Sequence, residues 1–461
     1  MSHLTVRPRS IIAAVGIVLA LAACDDVLGE PQEPQRSETP GEPATSPPAP
    51  APGVGDDPCP GSSDPDRGCI HLGTLADRSP GTGQLTDELL AGQRDFWQRI
   101  NDAGGIAGRD VHLADHVVDV GEDAQEQFAA YEELEEEVLA LATLPGDAVA
   151  DEVAAAMDAD AVLGVAGSWW SGWHAPPAPT VLAAPSSHCL EAMLALDWYA
   201  AEVEQPAGVM AVSDAARYGD DVAAGAGLWA ERSPEVRWAG HVEFDPDGDE
   251  AAVDAAVQAV LRGNADVVQL GVPAREAAVI VRKAAAHGFD GSFIGGWPSW
   301  HADLLDDPES AQALQALYHH VAPWDGLEAD SAAHSAMRAA VGEAPPDSHA
   351  YLAGWISSYP LLAALQRAAD TGELTRTTLR EAVTGMNVDF EGARPPLELR
   401  DGRPDVVPFA VISRPDPAAE LQLASWGQAP TDGLAAELAH PADCAGPIPP
   451  PGGSGSDPAG P

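Results

Sequence analysis

Five cysteines, Cys24, Cys59, Cys69, Cys189 and Cys444, have the widest chemistry open to them in this chain of 461 residues. A thiol can take a lipid, pair as a disulfide or hold a metal. No two of them stand at the short spacing of a structural zinc site, and the adjacent His319 and His320 have no partner at ligand spacing. Asp245-Pro246-Asp247-Gly248-Asp249 has the acidic character of a calcium loop. Its glycine is misplaced, however, and Ala256 stands where the twelfth-position acid belongs, so the segment reads as a turn. Catalytic patterns are missing too: there is no Gly-x-Ser-x-Gly elbow, no His-Glu-x-x-His pair and no convincing carboxylate dyad. The expectation is a protein without catalysis, cofactor or metal, whose chemistry is non-covalent binding plus whatever its thiols form.

Cys24 closes Leu21-Ala22-Ala23-Cys24, at the end of an apolar run from Ile11 that is preceded by Arg7 and Arg9. A basic start, an apolar stretch too short to span a bilayer and small residues before a cut describe an export signal. Leu-Ala-Ala-Cys also resembles a bacterial lipobox, which implies cleavage before Cys24 and acylation of its thiol; in an ordinary signal peptide Cys24 would be incidental. Removing Cys24 leaves four cysteines in a compartment that permits disulfides. Sequence leaves all three pairings open, but short loop closure favours Cys59 with Cys69, leaving Cys189 to pin the tail through Cys444.

Residues 31–58 are dominated by Pro, Glu, Ser, Thr and Gly, which bury too little apolar surface to offset the entropy of ordering. They read as a tether, and the Pro/Gly-rich end after 445 has the same character. The chain carries 72 acidic and 23 basic residues, a formal net charge of -49, with Lys283 its only lysine. That balance argues against nucleic acid as a partner. Self-repulsion on this scale strains the compact state in dilute buffer but is screened within about 3 Å at molar salt. Two readings stay open, adaptation to salt and an acidic composition without a salt requirement.

The positioning elements follow from periodicity. Residues 69–77 read as a strand, helix follows from Leu85 to a Gly104-Gly105 stop, and Val111–Val118 is the next strand. A charged helix over 122–137, strands at 138–144, 161–166 and 181–184, and a helix at 148–157 complete one series. A second series runs as helix 190–203, strand 208–213, helix 220–231, strand 236–244, helix 251–261, strand 266–272, helix 276–287 and strand 292–295. Helices at 350–368 and 375–383 and an extended piece at 406–412 return to complete both units. Alternation of this kind predicts an α/β fold, with parallel sheets covered by helices on both faces.

Ile100-Asn101-Asp102-Ala103-Gly104-Gly105-Ile106-Ala107-Gly108-Arg109 resembles the Asn-x-x-Gly-Gly-Ile-x-Gly-Arg signature of solute-binding proteins of the branched-chain amino acid ABC-transporter family. Tyr218-Gly219, Ala284–Gly288 before Phe293-Ile294-Gly295, and Pro395-Pro396-Leu397 are similar in order and spacing. The resemblance covers most of residues 69–430. It implies two Rossmann-like lobes, type I in the periplasmic binding protein sense, joined by hinge strands and closing around a small molecule for a membrane permease. The expected division is a signal peptide at 1–23, a tether at 24–66, a first lobe of 67–187 with 322–370, a second of 188–321 with 371–430, and a tail at 431–461, disordered after 445.

In open parallel sheets ligands sit beyond the carboxyl ends of strands, where loops lead into helix N-termini. That rule selects Arg78–Gly83, Pro145–Asp147, Gly167–Trp173, Asp214–Tyr218 and the loop beginning Pro273-Ala274-Arg275. The family resemblance adds roles: Ser79, Gly146, Asp147 and Ser168 for a carboxylate or similar group, and Tyr218 as the second-lobe aromatic; the bulk of Trp169 and Trp297 suits them to be apolar walls. Arg78 and Pro273 complete the candidate set, with Arg78, Arg217 and Arg275 able to offset the negative field locally. Amino-acid binders of this family hold the ammonium with a second-lobe acid; here Glu276 is nearest, but at a position facing a helix. The tryptophan-rich Trp169-Trp170-Ser171-Gly172-Trp173 departs from the family and points to a ligand with a hydrophobic or aromatic part. The predicted function is an extracytoplasmic, lipid-anchored, monomeric binder of a small polar or amphipathic solute, such as an amino acid, amide or aromatic acid, serving an ABC permease. A sensory or structural lipoprotein of the same fold is the alternative, and a surface hydrolase a more distant one.

Overall fold

The computed structural model describes residues 51–448, except 79–82, 114–116, 121–122, 147–148, 150, 176–179, 244–249, 343–345, 401–402, 406, 439–440 and 445–447. The signal segment, Cys24, Ser79, Asp147 and the Asp245–Asp249 turn therefore lie outside the described residues.

The first sheet is built on β2 (Gly68–Ala76), which β1 (Val54–Gly55) joins antiparallel. After α1 (Gly83–Asp102), β3 (Arg109–His112) and β4 (Val117–Asp119) pair in turn with the two halves of β2. Then come α2 (Ala124–Leu134), β5 (Ala140–Thr143), α3 (Asp151–Ala159), β6 (Leu163–Val165) and β7 (Val181–Leu182), giving the order β2-β5-β6-β7, all parallel. The second series is α4 (His188–Glu202), β8 (Gly208–Ser213), α5 (Arg217–Arg232), β9 (Arg237–Glu243), α6 (Glu250–Gly263), β10 (Val267–Gly271), α7 (Ala274–Ala286), β11 (Ser292–Gly295), α8 (Pro308–Leu317) and β12 (Tyr318–Ala322). The chain then runs through α9 (Ala332–Val341), α10 (Ala350–Ala369), α11 (Arg376–Val383), a small sheet of β13 (Met386–Val388), β14 (Leu397–Arg400) and β15 (Arg403–Pro404), and finally β16 (Val411–Pro415) and β17 (Leu423–Gln428). The second sheet orders as β17-β16-β12-β11-β10-β8-β9, with β16 and β17 antiparallel at one edge. Two α/β lobes with helix-covered, mainly parallel sheets are the expected architecture. Among the described residues no helix is long and apolar enough to cross a membrane.

The glycine signature acts as the sequence suggested. Gly104, Gly105 and Gly108 take φ of 116°, 70° and 75°, turning the chain out of α1. Asn101 then clasps the new strand, its amide donating to the Val111 carbonyl at 2.9 Å and its side-chain oxygen accepting from the Val111 N–H at 2.7 Å. The helix pair α1 and α10 packs backbone to backbone, because a Cβ on Gly92 would strike the Tyr351 carbonyl and one on Gly354 the Leu89 carbonyl.

Two expectations need correcting. The tether does not reach residue 66: His71 donates its N–H to the Gly53 carbonyl at 2.8 Å, and Cys59 bonds Cys69. The segment from 51 on has the Pro/Gly content of a linker, but Gly53 is what lets it lie against the Val138–Leu139 backbone. Next, α11 and the β13–β15 sheet belong with the first lobe, since Leu379, Val383, Met386, Val388, Leu397 and Leu399 share its core with α10. The return to the second lobe thus falls between β15 and β16 and not at 370. The tail is pinned as the cysteine pairing suggested: Ala435, Leu438 and Cys444 are buried against α4, and Cys189 bonds Cys444. Residues after 445, apart from Ile448, lie outside the described residues.

Candidate functional site

Three segments cross between the lobes: 183–187 from β7 to α4, 323–325 after β12, and 407–410 leading into β16. The first two carry the chain past the carboxyl ends of both sheets, and there the site is assembled. Ser187 caps α4 by accepting the Leu190 N–H at 3.2 Å. The cap fixes where His188, Cys189 and Glu191 point. On the second lobe, Gly219 lets the start of α5 lie directly on the ends of β8 and β10, because a Cβ there would meet Asp214. Tyr218, beside it, is thereby driven into the interior.

Aromatic rings from both lobes meet at this point. Trp169, from the loop after β6, and Trp297, from the loop after β11, stand edge to face with centroids 5.4 Å apart. Trp324, from the second crossing segment, completes the group at 5.5 Å from Trp169. The His188 ring lies 4.6 Å from Tyr218 and 6.0 Å from Trp297. All five are buried. The indole N–H groups of Trp169 and Trp297 have no hydrogen-bond partner among the described residues.

Behind this aromatic wall lies a set of buried ionisable groups. Glu191 sits 3.5 Å from His188 through Oε2 and Nδ1, and burial pushes its carboxyl up, with His188 and then Arg394 opposing the shift. Arg394 donates from one Nη to the Pro185 carbonyl at 3.1 Å, while its Nε and other Nη find no partner. Burial depresses its guanidinium to about 9, against the attraction of Glu191. Asp221 takes the Ser171 N–H and hydroxyl, each at 2.8 Å, and the Cys189 N–H at 3.4 Å. Burial nonetheless raises it to about 7, the nearby His188 and these hydrogen bonds only partly offsetting that cost. Buried donors on Trp169, Trp297 and Arg394 and acceptors on Glu191 that lack hydrogen-bond partners among the described residues suit a ligand carrying both, since leaving them unpaired is costly.

Of the residues singled out from sequence, Trp169, Trp297 and Tyr218 come together here. The Tyr218 hydroxyl, however, is taken up internally: it donates to the Leu270 carbonyl at 3.1 Å and accepts the Gly296 N–H at 3.1 Å, leaving its ring for the site. Ser168 accepts the Trp173 indole N–H at 3.1 Å. Arg78 pairs with Asp87 at 2.8 Å, and Arg217 stacks over Trp170, 4.7 Å from the ring centre. Pro273 opens α7, and Gly146 faces open space. Sequence reasoning missed His188, Glu191, Asp221, Trp324 and Arg394. Glu191 had a legible signal, a lone acid inside the apolar run Leu190–Leu194; Arg394 had none.

Known proteins match this architecture. In solved structures the chain resembles a fatty acid ABC transporter substrate-binding protein from Thermomonospora curvata, with a TM-score of 0.73 at 20% identity over 85% of this chain and 97% of that one. It also resembles a leucine-binding protein from Thermotoga maritima, with a TM-score of 0.64 at 14% identity over 79% and 99%. A third is the solute-binding protein of an ABC transporter from R. palustris, solved with benzoate, with a TM-score of 0.64 at 15% identity over 80% and 100%. These likenesses establish the fold. No curated protein matches in sequence. The sequence profile of the periplasmic binding protein family does match, over residues 69–407, so with the two-lobed fold and its interlobe site the chain belongs to that family.

Proposed function

We propose that this protein is an extracytoplasmic solute receptor, tethered by acylated Cys24, that captures a small amphipathic molecule between its lobes and passes it unaltered to an ABC permease. The observation that carries the reading is the meeting of Trp169 and Trp297, one from each lobe, beside His188, which in turn neighbours the buried Glu191. A ligand with an apolar or aromatic body suits the indole walls, and a polar head with donors and acceptors suits the groups behind them. The neighbours in fold whose names mention a fatty acid, leucine and benzoate are all described as binding compounds with a carboxyl group and an apolar part. Ser79, Gly146, Asp147 and Ser168 are the first-lobe residues assigned to hold the ligand's carboxylate or similar polar group. The receptor acts as a monomer, because each copy contributes both lobes of its own cleft.

Thermal shift of the full chain against amino acids, amides, aromatic acids and medium-chain fatty acids tests the proposal, with native mass spectrometry of whatever copurifies. A stabilising ligand that Trp297→Ala abolishes is the expected result. Silence across the whole panel, with nothing copurifying, overturns transport. The anchor has its own test, in that Cys24→Ser should release the protein from membranes into the soluble fraction.

A further inference from the structure

The lobes also meet at a second place, outside the aromatic site. The side chains of Glu88 on α1, His301 after β11 and Asp347 just before α10 each bring one ligating atom to within 4.8 Å of the others. They come from both lobes and from three distant parts of the chain.

Supporting groups set the geometry. His301 is buried at 7% exposure, and its Nδ1 lies 2.6 Å from the Asp303 carboxylate. The Asp303 carboxylate can only accept and so favours a proton on Nδ1. Nε2, flanked by Glu88 and Gln84, faces the cluster and must give up any proton it carries when a metal binds. Glu88 is oriented the same way: its Oε2 takes the Ser348 N–H at 2.9 Å and hydroxyl at 2.6 Å, while Oε1 lies 3.5 Å from His301 Nε2. The Ala302 N–H donates to the Asp347 carbonyl at 2.8 Å, clasping the two loops together. Gln84, whose amide lies 2.7 Å from His301 Nε2, offers a carbonyl oxygen after rotation.

We propose that Glu88, His301 and Asp347 form an interlobe site for a divalent transition-metal ion of the zinc class. One imidazole and two carboxylates match zinc's mixed nitrogen and oxygen preference and would neutralise its charge, whereas calcium and magnesium favour all-oxygen shells. Zinc ligands stand about 3.3 Å apart, given bonds near 2.0–2.2 Å, so the triad must contract by up to about 1.5 Å. The exposed Asp347 side chain supplies that movement. Held this way, the ion ties α1 of the first lobe to the His301 turn of the second.

Calorimetric titration of the full chain with zinc chloride in molar sodium chloride, where the acidic surface is screened, tests the site. One equivalent should bind, and His301→Ala and Asp347→Asn should each weaken it at least about tenfold. Asp303→Asn, which touches no metal, should weaken it about 10- to 100-fold. Asp347 is exposed, so its variant reports even where His301→Ala fails to fold. Absence of stoichiometric binding overturns the proposal, as does binding that all three variants leave unchanged. A solute binding normally to a chain that takes no zinc would leave the receptor function standing without this site.

Discussion

The Trp169 and Trp297 indoles meet at an interplanar angle of 74°, and the two residues belong to different lobes. A pair of this kind forms only when the lobes approach, so it reports closure directly. Trp297→Phe should keep most of the packing while removing an indole N–H that has no partner among the described residues. The expected result is a stable protein with at least about tenfold weaker ligand binding, the scale of one hydrogen bond to a buried donor. Trp297→Ala should in addition cost about 3–5 kcal/mol of stability. Ligand titration followed by intrinsic fluorescence, together with urea unfolding of each variant, separates the two effects.

Asp221 gives the site a pH dependence. An unfolded aspartate ionises near about 3.9, while the folded one is raised to about 7 by burial. Between those values the native state keeps a proton that the unfolded chain has lost. Stability therefore falls as pH rises from about 4 to 7, by at most about 1.4 kcal/mol per unit, and levels off above 7. Asp221→Asn cannot titrate and should flatten this component. The difference between wild-type and variant melting curves across that range isolates it from other carboxylates.

The resolving power of the sequence followed local pattern. The strands Gly208–Ser213 and Ser292–Gly295 have the boundaries that their apolar runs suggest, and the Asn101–Arg109 signature turns as its glycines require. β12 and α8 were not foreseen, because Tyr318-His319-His320 interrupts an apolar run with polar rings that only the tertiary fold buries. The site was legible where one loop carries the signal, as at Trp169. It was illegible where partners are far apart, as with Glu191 and Arg394, or Glu88, His301 and Asp347, since no spacing rule links such positions.

The contact between α1 and α10 depends on Gly354 lacking a Cβ. Adding one places a methyl group on the Leu89 carbonyl, which is backbone and cannot turn aside. Gly354→Ala gains about 1 kcal/mol in helix propensity and still should destabilise the first lobe, by about 1–3 kcal/mol net, through forced separation of the helices. Chemical denaturation of the full chain measures the sign, and a neutral or stabilised variant would refute the close approach.

Cys189–Cys444 closes a loop spanning 255 residues and holds a tail that packs on α4, whereas Cys59–Cys69 spans 10. The first removes more freedom from the unfolded chain and also retains Ala435 and Leu438 in the core. Cys189→Ser with Cys444→Ser should lower stability by about 2–4 kcal/mol and expose the tail to protease near Leu438. Cys59→Ser with Cys69→Ser should cost less and leave that cleavage unchanged. Equal losses from both pairs would mean that the tail is held by packing alone.

A formal charge of -49 must act on stability through repulsion among surface carboxylates. Screening over a Debye length of about 3 Å at molar salt weakens that repulsion, while the buried cluster of Glu191, Arg394 and Asp221 is shielded from the ions by the protein around it. Salt should therefore raise the melting temperature, by at least about 2 °C between dilute buffer and molar sodium chloride, without altering the pH component assigned to Asp221. Potassium chloride should do the same as sodium chloride, because screening depends on ionic strength and not on the cation. A flat response would show that the carboxylates are spaced widely enough to be hydrated independently, and salt adaptation would then have no physical basis in this chain.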